Sequence, residues 1–355
     1  MSGQFSSSSS PSPSPLHQAI ACLANRQSLG EGLAAAAFSA VMRGEASPAQ
    51  MGALLLGLRI KGETPDEVAG AARALRDAMV RVEADGAHLI DTCGTGGGAV
   101  PTFNISTAAA FVAAGAGAAV AKHGNRSFTS RCGSADVVEA LGVPISLDAV
   151  QAARVLHEAR VTFLFAPLFH PAMRYVAPVR RELGVPSVMN LLGPLANPAG
   201  VSRQVVGVAD RDRAPLMAEA LARLGAEHAL VVHGRIGMDE ISPQGLTDVW
   251  EVQSKSVRTW ELDPASYGCD IADAGELRGG EPAANAARVE RILTPGGKDS
   301  AGLAAVLLNA GAAIYIAGLA PSFEEGVGRA REVVGSGAAR GSLERLRRAS
   351  ASTSG

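Results

Sequence analysis

The chain has 355 residues, of which 47% are hydrophobic and 4% aromatic, with 41 glycines and a formal net charge of -2. That length holds one large domain and a smaller one, and a near-neutral charge without a basic block argues against nucleic-acid binding. Four scattered cysteines (Cys22, Cys93, Cys132, Cys269) argue against a disulfide framework or structural zinc and fit a reducing cytoplasm; no run is apolar enough for a membrane span or signal peptide.

Residues 1–15, a serine run followed by Ser-Pro repeats, are expected to be disordered. Residues 16–86 read as a small helical domain. Two of its helices carry start signals, Ser47-Pro48-Ala49-Gln50 and Thr64-Pro65-Asp66-Glu67: a hydroxyl cap, proline at the first helical position and a side-chain acceptor at the third. Met51, Leu54, Leu55 and Leu58 follow at helical spacing. From 87 to 350 the pattern alternates. Strands are expected at 88–91, 118–121, 161–165, 204–209 and 229–233 with alanine- and leucine-rich helices between them, an α/β sheet with helical crossovers. Residues 351–355 read as a frayed tail, and there is no internal repeat.

The first of these strands runs into Gly94-Thr95-Gly96-Gly97-Gly98, then Thr102-Phe103-Asn104-Ile105-Ser106-Thr107 opens a helix. A strand that turns through glycines into a helix start holds anions, because backbone N–H groups and the positive dipole end converge there. Lys122-His123-Gly124-Asn125-Arg126-Ser127 adds cations and small donors, so the pair reads as a site for a phosphorylated sugar. Gly94, Gly96 and Ala99 also match a relaxed dinucleotide fingerprint, but the next strand ends in Lys122-His123, the wrong charge for a ribose diol. No Gly-Lys-Ser/Thr follows, which removes a triphosphate loop.

Further on, Arg180 and Arg181 are equally readable as a solvated pair beside Glu182 or as a fork for a carboxylate. His170 alone is more often structural than catalytic. Asp239-Glu240, after an apolar strand, fits magnesium, which takes one or two carboxylates plus phosphates and water; an exposed acidic loop is as common a reading.

In order along the chain, Gly94–Gly97, Asn104–Thr107, Lys122–Ser127, Gly133-Ser134-Ala135-Asp136, Val179–Gly184, Asn190–Leu195, Asp239-Glu240, Glu276–Gly280 and Leu307-Leu308-Asn309 together resemble the anthranilate phosphoribosyltransferase family. The resemblance implies a small all-helical domain, completed by helices near 175–200, hinged to a larger α/β domain with a central, mostly parallel sheet. It implies transfer of the phosphoribosyl group of phosphoribosyl pyrophosphate to the amine of anthranilate. Gly94, Gly97, Gly98, Thr102, Asn104, Ile105, Ser106 and Thr107 would hold phosphoribosyl pyrophosphate, with Lys122, His123, Gly124, Asn125, Arg126, Ser127, Phe128, Thr129, Ser130 and Ser134. Gly94, Asn125 and Arg180 would contact anthranilate, with His123 and His170 near its path. Ser106, Asp239 and Glu240 would serve two magnesium ions, directly or through water. A cytoplasmic homodimer through the helical domain is implied, with an anthranilate synthase component as a possible further partner.

The acceptor is a neutral aryl amine, so no general base is assigned; Lys122, Asn125 and Arg180 would orient groups and stabilise charge. One departure stands out: the family's glycine loop normally ends in aspartate, and here that position is Gly98. Three alternatives are a pyrimidine nucleoside phosphorylase of the same architecture, a transferase-like nucleic-acid binder, and an inactive paralogue.

Overall fold

The computed structural model describes residues 14–84, 88–127 and 131–352. Four helices come first: α1 (Pro15–Ala24), α2 (Glu31–Met42), α3 (Pro48–Lys61) and α4 (Pro65–Asp77). Ser14 caps α1 and Pro15 is its first residue, so the chain is ordered two residues earlier than its composition suggested. Both start signals form reciprocal capping boxes. The Gln50 N–H donates to Ser47 Oγ and the Ser47 N–H to Gln50 Oε1; Thr64 and Glu67 exchange the same pair of bonds. Glu67 is fully buried, and its carboxylate also accepts from the Leu29 N–H (2.7 Å) and Lys61 Nζ (2.9 Å). It thereby ties α4 to the α1–α2 loop and the end of α3.

Two later helices, α9 (Met173–Leu183) and α10 (Met189–Leu195), pack back onto α2, α3 and α4. Their apolar residues Val176, Val179, Leu191 and Leu192 share one core with Phe38, Leu54, Leu58 and Val68. The bundle is therefore built from two separate stretches of sequence.

The sheet has the order β3-β2-β1-β4-β5-β6-β7. Strands β1 (Leu89–Gly94), β2 (Ala119–Gly124), β3 (Val161–Phe165), β4 (Arg203–Gly207) and β5 (His228–Gly234) are parallel. Strands β6 (Thr247–Gln253) and β7 (Ser256–Leu262) add an antiparallel edge. This hairpin was not anticipated. Its turn puts Ser254 and Lys255 at φ 49° and 71°, a conformation normally signalled by Asn-Gly or Asp-Gly. Its inner strand also buries a charge: Glu251 accepts from Arg258, Trp260 Nε1 and Tyr315 Oη and pairs with His228 Nε2.

Strands β1 and β2 run three residues further than expected, because β1 keeps pairing with β4 to Gly94↔Gly207 and β2 with β3 to Gly124↔Phe165. Lys122, His123 and Gly124 are thus strand residues rather than loop residues. The second core lies on the other side of the sheet, where α5 (Ile105–Gly115), α13 (Ser300–Ile316), α14 (Phe323–Gly335) and α15 (Ala338–Ala351) pack. Helix α15 runs to Ala351, so the first residue of the expected tail is still helical. Among the described residues no helix is long and apolar enough to cross a membrane.

Candidate active site

The site forms where the parallel strands end against the helical bundle. Gly96 and Gly97 turn the chain at φ 70° and 85°, directly after β1. The loop is pinned at both ends: the Thr95 N–H donates to Gly207 O (2.9 Å) and the Ala99 N–H to Gly237 O (2.8 Å). The turn carrying Asp239 lies hard against it. A Cβ on Gly207 would sit 1.7 Å from Asp239 O, and one on Gly98 would sit 2.6 Å from Asp239 Oδ1. At Gly207 the obstacle is backbone, so only glycine fits; at Gly98 it is the end of the Asp239 side chain, which would have to move.

Helix α5 starts at the loop's far end. Its N-cap residue, Asn104, gives the helix no side-chain cap; its Nδ2 donates to Cys132 O and its Oδ1 accepts from Asn285 Nδ2. Of the first-turn amides, that of Ser106 reaches Glu240 Oε1 at 3.3 Å. An uncapped helix start beside a glycine turn can receive a phosphate. Ile105 and Thr107 belong to this turn, but the Ile105 side chain is core and Thr107 Oγ1 is buried without a partner, so what they can offer a ligand is backbone.

Lys122 was expected among the phosphate-holding groups, yet it is 4% exposed. It lies under the loop and donates to Thr92 O (2.5 Å) and Ser106 Oγ (3.2 Å). Burial lowers its pKa while the Asp91 carboxylate opposes that shift. The Arg126 guanidinium is likewise engaged, pairing with Asp136 and Glu139 at 2.6 Å each. Ser134 Oγ donates to Asn125 O at 3.3 Å, folding the start of α6 (Ser134–Ala140) over the Asn125 turn. Thr102 bridges to Arg278. Phe128, Thr129 and Ser130 lie outside the described residues.

Asp239 and Glu240 sit side by side but face different neighbours. Asp239 meets the glycine loop, and Glu240 meets Ser106. Burial raises the pKa of both; Glu240 is pushed up to about 8, with the Asp239 charge as the next cause. Two desolvated carboxyls that resist ionisation fit a divalent cation, whose charge would hold both in the ionised form. No cluster of three or more His, Cys, Asp or Glu that could hold a metal exists among the described residues, so such an ion would take the rest of its shell from Ser106, phosphate and water.

His123 and His170 meet through their Nε2 atoms at 3.2 Å, and Nδ1 of His170 is buried without a partner. Burial takes His123 down to about 3, helped by the His170 charge, and His170 to about 4. Below about pH 6.5 the unfolded chain binds protons that the folded chain refuses. The two rings therefore contribute stability above that pH, lost as pH falls towards their folded pKa values, at about 1.4 kcal/mol per pH unit each. The Tm of His123→Asn/His170→Gln is expected to fall less than the wild type's between about pH 7 and 5, read by thermal melts.

On α9, Arg181 is exposed, whereas Arg180 is half-buried. Burial lowers the Arg180 pKa, and the guanidinium has no hydrogen bond or ion pair among the described residues. Three asparagines that frame the site carried no role from the sequence. Asn309 clamps the Asp239 turn by exchanging two bonds with the Ile241 backbone, Asn285 holds Asn104, and Asn197 donates to Asp91 Oδ2 and Ala121 O. Asn309 stood inside a recognised motif.

Residues 17–79 match the glycosyl transferase family helical bundle domain, and residues 86–340 match the α/β domain of the same family. Bundle, sheet and anion-holding turn thus define a glycosyl transferase of this two-domain kind. An anthranilate phosphoribosyltransferase of Rubrobacter xylanophilus is 51% identical over 335 residues, covering 94% of this chain and 97% of its own. The Thermus thermophilus enzyme of that name superposes with a TM-score of 0.89 at 45% identity, over 95% of this chain and 99% of the other. The Saccharomyces cerevisiae enzyme, solved with phosphoribosyl pyrophosphate and magnesium, gives a TM-score of 0.87 at 27% identity, over 96% and 99% of the two chains. The chain belongs to the anthranilate phosphoribosyltransferase family.

Proposed function

We propose that this chain carries out the family's reaction with phosphoribosyl pyrophosphate lying across the glycine turn and the open start of α5, and with the anthranilate carboxylate on Arg180. The observation that carries the acceptor half is the half-buried Arg180 guanidinium, without an acidic partner among the described residues. A planar fork of this kind matches a carboxylate. Asn125, at the mouth of β2, orients the acceptor, and the neutral His123–His170 pair walls its path without adding charge.

The C–O bond to pyrophosphate breaks as the amine nitrogen bonds to the sugar carbon, and the amine proton leaves to solvent. The departing charge is assigned to the uncapped start of α5 and the glycine turn beside it. Lys122 acts from beneath, fixing Ser106 and adding a buried positive charge. We assign two magnesium ions, since Asp239 and Glu240 address different sides of the site. When bound, magnesium stabilises charge on the leaving group. Arg126 takes part through its backbone while its guanidinium stays with Asp136 and Glu139. The homodimer contact is assigned to α3, where Leu56 and Ile60 stand 40% and 71% exposed, and the four free cysteines fit a cytoplasmic enzyme.

Mixing the protein with anthranilate, phosphoribosyl pyrophosphate and magnesium is expected to abolish anthranilate fluorescence only when all three are present. Folded protein without decay across a wide magnesium range would move the reading to an inactive paralogue or another acceptor. Gly98→Asp bears on the departure in the loop. Its Cβ would crowd Asp239 Oδ1 at 2.6 Å and Gly237 O at 3.1 Å, so Asp239 must move to admit a third carboxylate. The magnesium concentration for half-maximal rate is expected to shift by about threefold or more, because ligand charge count sets cation affinity. An unchanged titration would sink the idea that Gly98 alters metal handling.

A further inference from the structure

We propose that a cavity where the chain crosses between the two domains binds a small carboxylic acid with an apolar body. The cavity holds about 320 Å³, the small end of ligand sites. It lies between the segment leaving α4 and the segment that follows α10. Met79, Val82, Pro198 and Ala199 supply apolar wall, and Arg76 and Arg81 supply the charge. No carboxylate is among its lining residues within the described chain.

Arg76 is the anchor. Its Nε donates to Leu195 O at 2.6 Å, and its remaining N–H groups have no partner among the described residues. The guanidinium is largely desolvated and stands near the positive charges of Arg73 and Arg81, so its own environment disfavours it. Arg73 is turned away, paired with Glu31 and the Arg223 carbonyl, and Arg81 has only an exposed contact with Asp77 at 3.9 Å. An anion entering here meets an arginine fork already held in place, and it neutralises an unbalanced buried charge.

The position gives such a ligand reach. The Val82 N–H donates to Pro198 O, so the two crossing segments are already joined at the cavity wall. Asn197, also in the lining, donates to Asp91 Oδ2 and Ala121 O at 2.8 Å each, and Asp91 Oδ1 accepts the His123 N–H at 3.3 Å. A molecule filling the cavity therefore braces Arg76 of the bundle against the segment whose next contact is with β1 and β2.

The test is calorimetric titration of the full chain, saturated with phosphoribosyl pyrophosphate and magnesium, using hexanoate, hexanol and inorganic phosphate as probes. Hexanoate is expected to bind saturably at one site per chain, with hexanol and phosphate at least about tenfold weaker. Arg76→Gln is expected to weaken hexanoate by about tenfold or more. Ala84→Leu, which fills the cavity and spares the Arg76 hydrogen bond, is expected to do the same, while Arg180→Ala leaves it intact. No saturable binding, binding unmoved by both cavity variants, or binding lost in Arg180→Ala would each overturn the proposal. Phosphate binding as tightly as hexanoate would overturn the carboxylic-acid assignment.

Discussion

Arg180→Ala is expected to lower kcat/KM for anthranilate by about 100- to 1,000-fold, with most of the loss in KM. The guanidinium sits half-buried on α9 with no carboxylate paired to it among the described residues, so its fork is free for a ligand. The KM for phosphoribosyl pyrophosphate should change by less than about twofold, because that substrate is assigned to the glycine turn and the start of α5. Arg180→Lys should recover little, since an ammonium cannot make the two parallel bonds. Steady-state kinetics with each substrate varied in turn decides the matter; an equal rise in both KM values would mean that Arg180 supports the cleft rather than the acceptor.

Asp239→Asn/Glu240→Gln is expected to lower kcat by about 1,000-fold or more, through loss of the cation that stabilises the leaving group. The same double variant should be no less stable than the wild type without magnesium. Burial raises the pKa of both carboxyls, and amides of the same shape remove two groups whose ionisation the site opposes. Magnesium should raise the wild-type Tm and leave that of the variant unmoved, because only a folded site binds it. A variant that keeps its magnesium-dependent Tm shift would locate the metal elsewhere. Such a site trades stability for function, and the glycines around it do so too. Gly207 admits the backbone of the Asp239 turn at a distance no side chain tolerates.

Much of this was legible along the chain because it depends on short-range rules. The capping boxes at Ser47 and Thr64 use residues three apart, and the glycine turn before α5 is a continuous stretch. Each of the five parallel strands contains a short apolar run, as a strand buried on both faces requires. The β6–β7 hairpin was not legible. Its turn takes positive φ at Ser254 and Lys255 without glycine, and its inner strand hides Glu251 in a network completed by Tyr315, far away in sequence.

Sequence by itself named the candidate groups: a glycine turn suited to an anion, the Asp239-Glu240 pair, and an arginine pair of which one could meet a carboxylate. Only the tertiary structure decided how each is used. It separated Arg180 from the solvated Arg181, because burial depends on what packs against α9. It drew Lys122 beneath the loop, because β2 stays paired with β3 through Gly124 and so carries the lysine into the interior. It gave the Arg126 guanidinium to Asp136 and Glu139, an exchange between two segments that sequence can name but not orient. Residue type fixes what a group can do; the charge and water left around it are set by neighbours distant in the chain.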